Sequence, residues 1–452
     1  MSISEGQYLA WLAKTNVERM LLAELHHADG IEYVATGPFM SLPSDADPNR
    51  PYIACIKKAV DITTRTDGNT TFGELTLIGD QLAADWHSLK WQGHPIKLFL
   101  GAPSWARDDF RLLAQGRNGG LQQAKRGALT LRMDDESSVL DEVIDTGQLP
   151  NDAGPVPLAL GSVYNAPMHR VDNQTLTYRG SYLPVTSIVA KDNGNPVVHT
   201  TNAAGGTVEL QDPLVGKLTA DIEEPHNTPQ KIVEWVAAHY NLAISDIDLP
   251  PYRVGIFYKG EVTGREILNA VKEGLGAYWY LNELNELVIR QHKVPVTADV
   301  TIVRDDIFYD KLTLTETQQP WRSLTLRWGK NYSPLSTVAG VLDEEQPEEA
   351  TRLRTEWRES HASQDVSDYP MAERVTRDSI IQDEADAITE RDRLLGDRST
   401  QRNTWDIEAR FPPVFAGQGG AVEHGRLQGK LGRLIIVSRS PTKGVTNLGV
   451  WV

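Results

Sequence analysis

The 452-residue chain has a single cysteine, Cys55. One thiol cannot form an internal disulfide, so stability must come from burial and assembly. Cys55 lies in Tyr52-Ile-Ala-Cys-Ile56, a predicted strand, and reads as a small buried hydrophobe. No stretch approaches the roughly 18 apolar residues of a membrane span. The N-terminus, Met1-Ser-Ile-Ser-Glu-Gly-Gln7, has no basic region followed by an apolar run, so synthesis in a cytoplasm is expected. Basic runs are also missing. Lys and Arg number 45 against 61 Asp and Glu, a formal net charge of −16. That balance argues against sequence-specific or tight nucleic-acid binding, which needs a basic surface. There is no Gly-x-Ser-x-Gly elbow and no His-Glu-x-x-His pair.

What is present is mostly β-patterned. At this length two to four domains are expected. A short helix within 6–22 carries Leu9, Trp11 and Leu12. Leu21–Leu25 and Ile31–Ala35 flank Ala28-Asp-Gly30, a hairpin signal, because Asp-Gly supplies the positive φ of a tight turn. Residues 41–51 hold three prolines and read as a loop. Strands are expected at about 52–65, 73–79, 95–101, 110–116 and 127–133. Leu75 and Leu77 share one face, as do Leu129, Leu131 and Met133, at the period of half-buried strands. Residues 147–170, rich in Gly and Pro, read as a long connection. A meander at 174–211 turns at Asp192-Asn-Gly-Asn195 and Ala204-Gly-Gly206.

The texture changes at about 222. Asn227 or Thr228 caps a helix with Pro229 in its first turn, and Ile232, Val236 and Tyr240 share its face. A second helix over about 264–275 aligns Ile267, Leu268, Val271 and Leu275, and Gly274 and Gly276 end it. A hairpin at 277–290 turns at Asn282–Asn285. Alternation returns at Lys311–Thr315 and Trp321–Trp328. An acidic linker, 343–349, leads into a helix carrying Ala350, Leu353 and Trp357. A helix at 383–396 and long strands at Thr404–Phe411 and Gly432–Ser438 close the chain.

Candidate chemistry is thin. Glu24, His26, His27 and Asp29 are metal-capable neighbours, but a metal site needs three or four converging ligands and no partner set is visible. Asp45, Asp47 and Asn49 open like a calcium loop. Arg50 then replaces the invariant glycine, and Ile56 replaces the bidentate glutamate. Asp108 and Asp109 with Asp134, Asp135 and Glu136 are the carboxylates from which a glycosidase pair would be drawn; acidic residues after strands read more simply as turn ends. Gly417–Gly420 and Gly425–Gly432 have the wrong spacing for a phosphate loop, since Leu431 follows Lys430. The 11 tryptophans mostly alternate with apolar residues, which favours core packing over a sugar-binding surface. No catalytic, cofactor-binding or metal residue is therefore assigned.

Leu100-Gly-Ala-Pro-Ser-Trp-Ala-Arg-Asp-Asp-Phe110, flanked by Gly73–Leu77 and Leu160–Asn165, resembles the N-terminal part of baseplate hub proteins from long-tailed phages and Mu-like prophages. The 222–291 unit is similar to the small α/β domain inserted in such hubs, and the closing helix–strand–strand pattern to their second barrel. The cysteine set of iron–sulfur hubs is missing, so no cofactor is expected. The resemblance implies an α+β, mainly β fold. It would contain two tube-like barrels: 1–221, then a small α/β insertion at 222–300, then 301–452 with flanking helices. It implies a non-enzymatic structural protein of the virion tail tip. This protein would be a trimer joining the tube or distal tail protein, the tape measure protein and fibre or receptor-binding tip proteins, and forming part of the DNA channel. The alternatives are a sixfold distal tail ring protein and a carbohydrate-binding or hydrolysing tail protein. If chains form a ring, part of the acidic excess is expected on the channel wall and part in 343–349.

Overall fold

The computed structural model describes all residues except 1, 2, 15, 16, 69, 79–85, 126, 173, 411–413 and 428. Strands dominate, with a few helices between them, so the fold is α+β and mainly β, as the sequence implies.

The first half is a wrapped sheet. Met20–His27 pairs with Gly30–Ala35 and with Pro95–Gly101, and the ladder continues through Arg111–Lys125 and Ala128–Asp134 to Glu74–Ile78. One kinked segment joins the two ends. Pro51–Ala54 pairs with Gly30–Ala35, while Ile56–Lys58 pairs with Glu74–Ile78. Cys55 sits at the kink. Its N–H donates to Ala35 O at 3.1 Å, and its C=O accepts from Ile78 N at 2.8 Å. The Cys55 bonds thereby bridge the two ends of the sheet and shorten the edges that an open sheet would expose. Inside it, Leu21, Leu25, Leu75, Leu98, Leu131 and Met133 are buried, one per alternate position along their strands.

The expected 52–65 strand is thus three strands, the last being Ile62–Arg65, which leaves this sheet. It pairs with Leu431–Ser440, at the other end of the chain. The second sheet runs from Val300–Ile302 through Gly419–Val422, Leu431–Ser440, Val445–Trp451 and Arg402–Arg410 to Ile307–Gln318. Its two end strands are consecutive in sequence, joined by one turn at Arg304–Asp306. Its interior packs Ile302, Leu312, Ile407, Leu434, Leu448 and Val450. Strand Val445–Trp451 was not expected from the sequence. Gly79 and Phe411, expected strand ends, lie outside the described residues.

Two expectations are corrected. Residues 147–170 contain no long open connection: Leu158–Pro167 is a strand buried at every position from Leu158 to Ala166. It is central, paired with Leu218–Glu223 and with Gly255–Tyr258. A strand covered on both faces carries no alternation to read. The acidic linker 343–349 is helical, split between Gly340–Glu345 and Pro347–Arg354, with Pro347 at the first helical position. Asp343 is held by Arg354, and the Glu349 carboxylate lies 3.4 Å from Lys191 and accepts from the Tyr164 hydroxyl at 2.8 Å.

Helices Pro229–His239 and Gly264–Gly274 bury Ile232, Val236, Ile267 and Val271. Thr263 and Glu266 close a capping box on the second helix. The hairpin Ala277–Leu281 and Leu287–Gln291 is joined by a parallel strand, Ile244–Asp248. One hydrophobic cluster holds these helices together with Leu140, Leu158, Leu324, Trp328 and Leu394. The other face of the hairpin, Tyr278, Tyr280 and Val288, packs into the second sheet's core.

Candidate functional site

The sequence candidates are spoken for by local structure. Glu24 pairs with Arg107 at 2.7 Å, while His27 lies 3.7 Å from Glu32 and edge-on to Trp91. Burial and the nearby Lys97 hold His26 below its ordinary pKa. No group of three or more metal-capable side chains converges among the described residues. Asp45 accepts from the Leu42 and Arg107 amides, Asp47 pairs with Arg50 at 2.7 Å, and Asn49 takes a positive φ of 55°. These contacts make a braced loop.

Asp109 accepts from Ile3 N at 2.7 Å, and Asp108 from Ala46 N at 2.9 Å. Asp134 is paired with Arg132 at 2.7 Å. Asp135 accepts from the Ser137 hydroxyl at 2.7 Å, and burial lifts its carboxyl above the usual range. The cavity beside Asp134 and Asp135, about 430 Å³, is not lined by Asp108 or Asp109. The two acidic pairs therefore do not share a cleft there. The Cys55 thiol is pushed up to about 12 by burial, which leaves it a poor nucleophile. Gly417 has φ +93°, and a Cβ there would fall 1.8 Å from the Tyr278 hydroxyl, so close packing explains that glycine. Trp11, Trp86, Trp91, Trp279, Trp328 and Trp451 are buried, consistent with core packing.

What stands out geometrically is how the units are stapled together. The turn at Asn282–Asn285 reaches both large sheets. Gln115 Nε2 donates to Leu284 O at 2.6 Å, and Asn285 Nδ2 donates to Gln115 O at 3.0 Å. On the other side Glu283 pairs with Arg439 at 2.9 Å, both nearly buried. Removing one partner of such a pair strands the other charge, at a cost of about 3–5 kcal/mol.

The second such place is a cavity of about 740 Å³, where helix Glu384–Asp397 meets the second sheet. Arg433 and Trp451 are cross-strand neighbours there. Arg398 follows the helix, Arg402 opens the next strand, and Arg377 comes from Glu373–Asp378. Arg377 and Arg398 stand 5.0 and 5.4 Å from the Trp321 ring centre; Arg402 and Arg433 stand 4.9 and 5.5 Å from that of Trp451. Arg433 Nη1 donates to His292 Nδ1 at 2.7 Å. Burial, with Arg433 next, pushes His292 down to about 3, so the imidazole is neutral. These arginines come from three separate segments, around 377, 398–402 and 433, and no local sequence signal announces them.

No family model matches the chain, and no curated protein matches it. Solved structures do. The chain is similar in fold to prophage tail proteins. The 43 kDa tail protein of prophage MuSo2 from Shewanella oneidensis aligns at 9% identity and TM-score 0.46, covering 96% of this chain and 98% of that one. A tail protein from Neisseria meningitidis aligns at 9% identity and 0.45, covering 96% and 97%. A prophage tail protein from Listeria monocytogenes aligns at 8% identity and 0.46, covering 96% and 94%. Similarity this low carries no residue's role across.

Proposed function

We propose that this chain is a structural protein of a phage tail tip: a baseplate hub that joins the tail tube to the tip or fibres and forms part of the DNA channel. The observation that carries the reading is the pairing of two wrapped β-sheets in one chain, held by strand Ile62–Arg65 in the second sheet and by the 282–285 turn against both. The tail proteins to which it is similar are in keeping with the reading but do not carry it. Three chains with two barrels each would present six, matching a sixfold tube to a threefold tip. Its work would then lie in interfaces with the tube or distal tail protein, the tape measure protein and the fibre or tip proteins, and no catalysis is assigned to it. It would be made in the host cytoplasm and end in the virion.

The test is copy number in purified particles. Quantitative mass spectrometry against the tube protein should return three copies per tail, an assembly of about three times the 50.2 kDa chain mass. Six copies would replace the hub with a distal tail ring. Cleavage of cell-wall glycan or lipopolysaccharide by the purified chain would replace it with a tail enzyme.

A further inference from the structure

One wall of the 740 Å³ cavity gathers Arg377, Arg398 and Arg433 around Trp321 and Trp451, although the lining as a whole carries as many carboxylates as cationic side chains. Among the described residues, none of Arg377, Arg398, Arg402 or Arg433 has a carboxylate within ion-pair distance, although the chain as a whole is strongly acidic. Nearby acids are otherwise engaged: Asp397 with Arg393 at 2.9 Å, Asp67 with Arg65 at 2.9 Å, and Glu390 with Arg393 at 2.6 Å. Glu273, Glu316 and Asp406 also line the cavity.

Arg433 is the informative member. It is only 5% exposed and it lines the cavity. Its Nη1 faces a neutral imidazole, which accepts a hydrogen bond without cancelling charge. Its Nη2 has no hydrogen-bond partner. A buried guanidinium with an unused donor is costly, and such groups are normally satisfied. Burial holds all four arginines below their ordinary pKa; neighbouring arginines add to the effect on Arg377, Arg398 and Arg433, while Glu390 opposes it at Arg377 and Asp397 opposes it at the other three. The planar fork of a guanidinium matches a carboxylate or phosphate two oxygens at a time. A cavity of 740 Å³ lies within the usual size of small-ligand sites, roughly 300–1,000 Å³.

We propose that this cavity is a binding site for an oxyanion, a phosphate or dicarboxylate group, held by Arg377, Arg398 and Arg433 between the faces of Trp321 and Trp451. The bound oxygens would complete the Arg433 Nη2 donor. The site does not depend on the tail assignment, since it lies within one chain.

The experiment uses the full chain. Inorganic phosphate and malonate are titrated separately against a chloride control of equal ionic strength, reading tryptophan emission, calorimetric heat and thermal midpoint. A saturable response to phosphate, to malonate or to both supports the site and says which oxyanion it prefers. Arg377→Gln, on a half-buried side chain, is expected to weaken binding by about tenfold or more while leaving the thermal midpoint of the unliganded protein within a few degrees. Arg433→Gln should do the same if it folds. Trp321→Phe should lose emission change while keeping heat. A response matched by chloride, or binding by Arg377→Gln equal to that of the unmodified protein, overturns the proposal and leaves the cluster as cation–π packing.

Discussion

Thr63 and Ser438 lie 375 residues apart in the chain, yet their hydroxyls share a hydrogen bond of 2.7 Å. The contact sits where strand Ile62–Arg65, departing from the first sheet, becomes a strand of the second. The first half of the chain and the second sheet are therefore joined by backbone ladder and not by side-chain contact alone.

That joint should be a stability determinant for both halves. Ile62 is 1% exposed within the first sheet's core cluster. Ile62→Ala should cost about 2–5 kcal/mol, whereas Thr63→Ala, which removes one exchangeable hydroxyl pair, should cost about 1 kcal/mol or less. Denaturant unfolding at constant m-value measures both. A cost for Ile62→Ala near that of a surface substitution would mean that the strand is not part of the cooperative unit.

Acid should weaken the native state through His292. Its folded pKa is about 3 against an ordinary 6.5. Below 6.5 the unfolded chain takes up a proton that the native chain refuses, so stability falls as pH drops from about 6.5 toward 3. Glu390 and Asp397, raised by burial, act in the opposite sense. Comparing the protein with His292→Gln removes their shared contribution. Between pH 7 and pH 5 the unmodified protein should lose about 2 kcal/mol more than the variant. Parallel pH profiles would show that His292 titrates normally.

The 222–300 segment is proposed as a recognisable α/β unit, but its core is shared. Its helices pack in one cluster with Leu140, Leu158, Leu324, Trp328 and Leu394, all from outside it. Expressed alone, 222–300 should therefore melt with little cooperativity, whereas 136–400, which encloses that cluster, should give a sharp transition. Circular dichroism of the two fragments decides it. A sharp transition from 222–300 alone would establish it as an independent domain.

Legibility in the sequence followed local determinants. The Asn193-Gly194 turn has φ of +46° and +88°, the pairing a tight hairpin demands, and was readable. So were the amphipathic helix faces at Ile232/Val236 and Ile267/Val271. Leu158–Pro167 was not, because burial on both faces erases alternation. The bridge at Cys55 was not, because it depends on Ala35 and Ile78 being brought to either side of one residue. The Arg377, Arg398 and Arg433 cluster was invisible for the same reason: only the folded chain gathers it around Trp321 and Trp451.

If three chains form a ring, 3 × −16 gives −48 formal charges in one assembly. A conduit must let phosphates pass: basic walls would hold them, whereas acidic walls repel them. Not all of this charge is free to act. Asp343 is tied to Arg354, and Glu349 serves Lys191 and Tyr164, so the 343–349 segment contributes chiefly through its exposed Glu344, Glu345 and Glu348. Part of the remaining excess is therefore expected on the channel wall. The assembled ring should bind double-stranded DNA more weakly than the range of about 10⁻⁴–10⁻⁶ M typical of non-specific binders at physiological salt. Its affinity should show no steep gain as salt is lowered. Fluorescence anisotropy of labelled DNA against the assembled ring, with a map of its lumen charge, checks this. Binding that tightens steeply at low salt, or a basic lumen, would overturn the acidic wall while leaving the two-sheet architecture as it stands.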